Sequence, residues 1–157
     1  MADSIEARLQ RMEDELAIRR ILEDYAHYLD SRDFKGYVSL FAPDGNWTNA
    51  VGSYTGHDAI YQMLLDDVSE DGAPNKSNFH FITSARIDLD GDRATSHCRY
   101  TFVFASQTRQ PVVALAGAYH DEFERYQGAW KIKKRVAEEI LPTHEEWEKI
   151  FQLKTNS

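Results

Sequence analysis

Asp30 and His80 are the residues of this 157-residue chain whose types, taken together, could do acid–base chemistry. A carboxylate that holds one imidazole nitrogen fixes the ring's tautomer and orientation, and leaves the other nitrogen free as a general base. Asp30 closes a long helical pattern. Leu22 and Ala26 precede it by two turns and one turn, which puts Asp30 on or beside the inward stripe. His80 stands between Phe79 and Phe81 near the start of an alternating segment, on the face opposite those rings, so it looks either to solvent or into a polar-lined cavity. Spacing along the chain does not say whether the two meet. Two plainer roles stay open: Asp30 capping a neighbouring turn or pairing with Arg32, and His80 as a satisfied structural histidine.

Other groupings carry less chemistry. His80, His97 and His120 fall on three successive strand segments, but no ligand spacing brings them together and no carboxylate completes a metal set, so no metal site is expected. His27 lies one turn before Asp30, on what reads as an exposed helix face. Cys98 is the one cysteine, which excludes an intramolecular disulfide and any two-cysteine metal or redox centre, and suits a reducing, cytoplasmic setting. There is no nucleophile elbow, phosphate loop or dinucleotide fingerprint.

The elements that must position Asp30 and His80 follow from the change of period. Apolar residues recur at helical spacing from about Ile5 to Leu29 behind Ser4 as N-cap, namely Leu9, Met12 and Leu16, then Ile18, Ile21, Leu22, Tyr25, Tyr28 and Leu29. Asp33 caps a second, shorter helix through Phe34, Tyr37, Val38, Leu40 and Phe41, ended by Pro43 and Gly45. Asn46–Val51 reads as a short strand, and Gly56 leads into a third helix through Ile60, Met63, Leu64 and Val68. The period then becomes two. Long strands are predicted over Phe79–Leu89, Ala94–Ser106, Val112–Tyr126 and Trp130–Ala137, with turns at Asp90-Gly91-Asp92 and Gln127-Gly128, and a closing helix over His144–Leu153. Helices first and a meander second predict an α+β fold: N-terminal helices on a strongly curved antiparallel sheet, a cone-shaped α+β barrel enclosing a cavity.

Composition bounds the partners. Apolar residues make up 42% and charged residues 28%, as in a globular domain, and the length predicts a single domain over 1–157 with its core at about 5–140. A net charge of −8 repels nucleic acid and anionic membrane surfaces, and no apolar run is long enough to span a bilayer, so neither partner is expected. Large apolar residues on both faces of the late strands, including Tyr100, Phe102, Phe104, Val112 and Val113, exceed what one concave core should use and predict a homo-oligomer.

Several runs carry a family resemblance: Ile21-Leu22-Glu23-Asp24-Tyr25 to Leu29-Asp30-Ser31-Arg32-Asp33-Phe34, Leu40-Phe41-Ala42-Pro43-Asp44-Gly45, Phe79-His80-Phe81-Ile82, Gly117-Ala118-Tyr119, Phe123-Glu124-Arg125 and Gly128-Ala129-Trp130-Lys131-Ile132. In this order, from about Leu16 to Arg135, the chain resembles the SnoaL-like group of the nuclear-transport-factor-like superfamily, which includes scytalone dehydratase, hexachlorocyclohexane dehydrochlorinase and bile-acid dehydratase. The resemblance implies a base dyad of Asp30 and His80, a cavity tyrosine at Tyr25 that donates to a leaving group, and a cavity arginine at Arg135 that binds an anionic substrate group. Trp47, Asn49 and Tyr119 are expected to contact substrate. The positions matching the substrate-binding tyrosines of scytalone dehydratase are Leu29 and Asn49, and its second histidine falls near Val103, which argues against scytalone itself. The implied function is a cofactor-independent lyase, a dehydratase-like eliminating enzyme acting on a small hydrophobic, cyclic molecule. The alternatives are an isomerase or cyclase of the same fold and a non-catalytic small-molecule-binding domain. The same resemblance implies a trimer, with a dimer as the alternative.

Overall fold

A computed structural model describes residues 4–146. The elements are α1 (Ile5–Ser31), α2 (Phe34–Ser39), β1 (Phe41–Thr48), β2 (Ser53–Thr55), α3 (His57–Asp67), β3 (Asn78–Asp90), β4 (Arg93–Ala105), β5 (Pro111–Tyr126) and β6 (Ala129–Leu141). Helices cover one face of a six-stranded sheet of order β2-β1-β6-β5-β4-β3. The α+β class and the four long strands are as the periodicity predicts. Two features of the expected sheet change. It is mixed, because β1 runs parallel to β6, with Trp47 opposite Arg135. It is also open rather than a closed barrel, with β2 and β3 as its edges.

The parallel strand explains the largest error in the expected elements. Leu40 caps α2, and Phe41, placed in the second helix by its apolar spacing, instead begins β1. Phe41 and Ala42 are buried, and the Leu40 carbonyl accepts from the Ile132 amide, so pairing with β6 captures a segment whose pattern also suits a helix. Pro43 and Gly45 lie inside β1 at its register shift, where a missing donor is tolerated and a Cβ on Gly45 would crowd the Ile132 and Ala42 carbonyl oxygens. The strand expected to reach Val51 stops at Thr48, because the Asn49 carboxamide accepts from the Val51 and Gly52 amides and turns the chain into β2. Of the closing helix expected over His144–Leu153, the part from 147 onward lies outside the described residues.

The first helix is capped by Ser4, whose hydroxyl accepts from the Ala7 amide. Its apolar stripe is buried only from Ile18 onward; Leu9, Met12 and Leu16, read from spacing as part of the same stripe, stay exposed. What the first half buries is Asp14. Its carboxylate accepts from Arg125 at 2.7 Å and the Trp130 indole at 3.0 Å, tying α1 to β5 and β6. Burial works against the charge, but these donors hold the Asp14 carboxyl below its ordinary pKa.

On β3 the alternation sends His80 and Ile82 inward, and leaves Phe79 and Phe81 on the outer face with 42% and 54% of their surface exposed. Tyr100 and Phe102 on β4, counted from sequence among the surplus apolar side chains, face inward and line a cavity. Within β5 a Cβ on Gly117 would run into the Glu138 carbonyl oxygen and the Tyr100 ring. Glycine there lets that ring lie flat across the strand and stack on Tyr119, centroids 4.4 Å apart.

Candidate active site

The cavity lies between the helices and the sheet and has a volume of about 370 Å³. Tyr25, Leu29 and Tyr37 wall it from the first two helices, Met63 and Leu64 from the third, and His80, Phe102 and Tyr119 from the strands. A larger cleft of about 1310 Å³, between the first half of α1 and the β3–β4 turn, is lined by charged side chains such as Arg8, Arg11, Asp88 and Asp92 and contains no part of the dyad.

Asp30 and His80 meet at the cavity wall. The His80 Nδ1 is 2.7 Å from Asp30 Oδ1, and the His80 backbone amide donates to Oδ2 of the same carboxylate at 2.9 Å. Because an ionised carboxylate only accepts, this contact puts the proton on Nδ1 and leaves Nε2 with its lone pair. The ring packs on Phe102 with centroids 4.8 Å apart.

Residues between the two elements stitch the end of α1 to the start of β3, which is how partners fifty positions apart are held. Asn75 donates to the Asp30 carbonyl and to the Asn78 carbonyl, each at 2.9 Å. Arg32, in a left-handed conformation with φ 61° at the helix end, donates to the Leu29 carbonyl and to Asn78 Oδ1. Asp71 accepts from the Phe34 amide and the Tyr61 hydroxyl, anchoring the connection from α3. In place of a hydrogen-bonded Asp30–Arg32 pair, Arg32 donates to the Leu29 carbonyl and to Asn78, and feels the Asp30 charge without direct contact.

Tyr25 is buried at the cavity wall, and its hydroxyl accepts from the Trp47 indole at 2.9 Å. Its ring contacts Tyr37 and Tyr119, with centroids 4.6 and 5.5 Å away. Burial, reinforced by the neighbouring Tyr25 phenol, pushes the Tyr37 and Tyr119 phenols well above their ordinary pKa, so both remain protonated donors. Removing the indole donor leaves the Tyr25 hydroxyl short of a partner. Trp47→Phe is expected to lose about 1–3 kcal/mol of stability, read as a lower midpoint of denaturant unfolding with unchanged slope.

Arg135 requires a correction. It does not line the cavity but lies fully buried behind it, its guanidinium 3.9 Å from the centre of the Tyr25 ring and 4.4 Å from that of Tyr119. Nε and one terminal nitrogen donate to the two Asp121 oxygens at 2.7 and 2.8 Å, and Ser96 donates to the same carboxylate. Burial opposes the charge, yet Asp121 more than offsets it and holds the Arg135 pKa well above normal. A cation matched to an internal carboxylate is not offered to an anionic substrate; what it offers is a fixed positive charge against the Tyr25 and Tyr119 rings.

Trp47, Asn49 and Tyr119 line the cavity. His97 and His120 are cross-strand neighbours with ring centroids 4.9 Å apart, while His80 lies opposite Phe102, further along β4. Cys98 is buried, which pushes its thiol up to about 11 and makes it a poor nucleophile. Among the described residues no helix is long and apolar enough to cross a membrane. Sequence reasoning missed Asp121 and Glu139. Their strand parity with Tyr119 and Ala137 was the available signal, but parity does not say which face is covered.

A family model for the SnoaL-like domain matches residues 10–136. The chain belongs to the SnoaL-like family. It is 31% identical over 130 residues to an uncharacterized protein of Mycobacterium tuberculosis (strain ATCC 25618 / H37Rv), covering 78% of this chain and 83% of that protein. Among solved structures it resembles an NTF2-like protein with a cystatin-like fold from Novosphingobium aromaticivorans, with a TM-score of 0.75, 21% identity, and coverage of 92% of this chain and 96% of that one. It also resembles the hexachlorocyclohexane dehydrochlorinase LinA-type3 from Novosphingobium barchaimii LL02, with a TM-score of 0.69, 22% identity, and coverage of 84% and 90%. At these identities the solved structures establish a shared NTF2-like fold.

Proposed function

We propose that the protein is a cytoplasmic, cofactor-independent lyase that eliminates a leaving group from a small hydrophobic, cyclic substrate. The observation that carries this reading is the 2.7 Å contact between Asp30 and His80 at the wall of a ligand-sized cavity. His80 Nε2 takes a proton from a carbon next to an activating group. The electrons of that C–H bond form the new double bond and expel hydroxide from the neighbouring carbon. Asp30 stabilises the imidazolium, and Tyr25 protonates the departing oxygen to give water; the imidazolium proton then restores Tyr25, directly or through water, closing the balance. Arg135, behind the Tyr25 ring, stabilises the charge that develops on the phenol oxygen. Trp47, Asn49 and Tyr119 hold the ring of the substrate. The solved dehydrochlorinase neighbour supports elimination as a chemistry that this fold can host.

The test is a screen of cyclic alcohols and ketones for the ultraviolet absorbance of a conjugated product, with His80→Ala as control. Turnover that releases water and disappears in the control supports the lyase. Double-bond migration without release of water assigns an isomerase instead, and binding without turnover assigns a binding domain.

Assembly as a homo-oligomer, a trimer or alternatively a dimer, belongs to the same reading. It is supported by Phe79, Phe81, Val112 and Val113, which remain exposed on the sheet. Light scattering at micromolar concentration is expected to give a mass of at least twice 18.1 kDa, and Phe81→Asp to reduce it. A monomeric wild-type mass refutes this assembly.

A further inference from the structure

Glu139 is an acidic group inside the cavity that the proposed elimination does not use. β6 turns three successive residues alternately. Ala137 faces the cavity, Glu138 faces out and pairs with His120 at 2.8 Å, and Glu139 returns to the cavity. Its Oε2 is buried and makes no hydrogen bond among the described residues, although His144 Nδ1 forms an ion-pair contact with it at 3.5 Å. Arg32, which also lines the cavity, is already committed to the Leu29 carbonyl and Asn78. A buried carboxyl oxygen without a donor is costly, and where it survives beside an open cavity the missing donor is supplied by what fills that cavity.

We infer that Glu139 accepts a hydrogen bond from the ligand, so that the substrate class is a ring bearing a hydroxyl or amino donor, neutral or cationic, and not an anion. This rests on reading the cavity as a substrate site. Glu139 lies opposite Gly117, which lies opposite Tyr100, while His80 lies opposite Phe102 and thence Leu115. The two functional groups thus sit on inward rows of β6 and β3, three strands apart, or about 14 Å along the sheet. A ring between them can present its acidic carbon to His80 and a donor at its far end to Glu139. The flat Tyr100 ring over Gly117 floors the Glu139 end, and burial followed by the Glu139 carboxyl pushes the Tyr100 phenol above its ordinary pKa. Asp67 is a further acidic liner, set against Arg32 as the cationic one.

Binding of four probes on one skeleton tests this: tetralin, 2-tetralol, 2-aminotetralin and tetralin-2-carboxylate, followed by quenching of tryptophan fluorescence and by calorimetry. Wild type is expected to bind the alcohol and the amine about tenfold or more tighter than tetralin, and the carboxylate most weakly. Glu139→Leu should remove that preference, and Glu139→Gln should keep part of the alcohol preference while losing that for the amine. His144→Ala should leave all ratios unchanged, which a merely structural Glu139–His144 pair would not. His80→Ala should keep the ratios whatever happens to turnover, so failure of the lyase reading and failure of this inference are separately visible. Equal ratios in wild type and Glu139→Leu, or no binding of the alcohol and amine to wild type, overturn it.

Discussion

His80→Ala is expected to lower kcat by about 10²–10⁴, the range of a lost general base, while leaving the unfolding midpoint close to that of wild type. The side chain touches Asp30 and Phe102 at the cavity wall, so its removal enlarges a space that already exists rather than opening a new void in the core. Asp30→Asn should produce a comparable loss by a different route. The carboxamide keeps the shape and can still accept from the His80 amide, but it no longer carries the charge that balances an imidazolium. It can also present its NH₂ to Nδ1 and stabilise the wrong tautomer. If the two act as one unit, the double variant is about as slow as the worse single variant, since a base without its orienter and an orienter without its base are equally idle. Steady-state kinetics on the substrate found by the screen decides this. Near-wild-type rates in both single variants would make the dyad structural and sink the lyase.

The largest stability effect is expected at Asp121. Asp121→Leu leaves the Arg135 guanidinium fully buried without its counter-charge, a change of the kind that costs about 3–5 kcal/mol. For a chain of this size that corresponds to a fall in Tm of about 6–20 °C, measurable by differential scanning calorimetry. Arg135→Met strands Asp121 with Ser96 as its remaining donor and should also destabilise. The double variant, with neither charge, is expected to be more stable than either single one, because attraction between the pair does little more than offset the cost of burying it. A double variant no more stable than the worse single one would overturn this, and one as unstable as the sum of the two would show that the charges are not coupled. Arg135→Met should also lower kcat by removing the cation behind Tyr25 while leaving KM for a neutral substrate largely unchanged, the opposite of the pattern expected for an arginine that grips an anion.

The long elements were legible because each is long enough for its period to be read. The pattern from Ile5 to Leu29 is helical, and β3 to β6 each alternate over at least a dozen residues. Turn chemistry set their ends, with Ser4 and Asp33 as caps and the glycines at 91 and 128 in left-handed conformations between strands. The short segment around Phe41 was not legible, since a few apolar residues fit a helix end and a buried strand equally well; pairing with β6, ninety positions away, decides between them. Nor could spacing say that Leu9, Met12 and Leu16 lie beyond the covered part of α1.

By itself the sequence determined the local periods, the caps, the α+β class, the acidic balance and the presence of an aspartate at a helix end and a histidine on a strand. Tertiary structure decided which face each strand covers. That choice put His80 inward and Phe79 and Phe81 outward, moved Arg135 from the cavity to the charge layer behind it, and turned Glu139 rather than Glu138 toward the ligand space. The physical reason is that alternation fixes only a parity. The sign of that parity, and the strand register that sets Asp30 against His80 and Asp121 against Arg135, depend on which surfaces the remote helices cover, and that is a property of the whole packed chain.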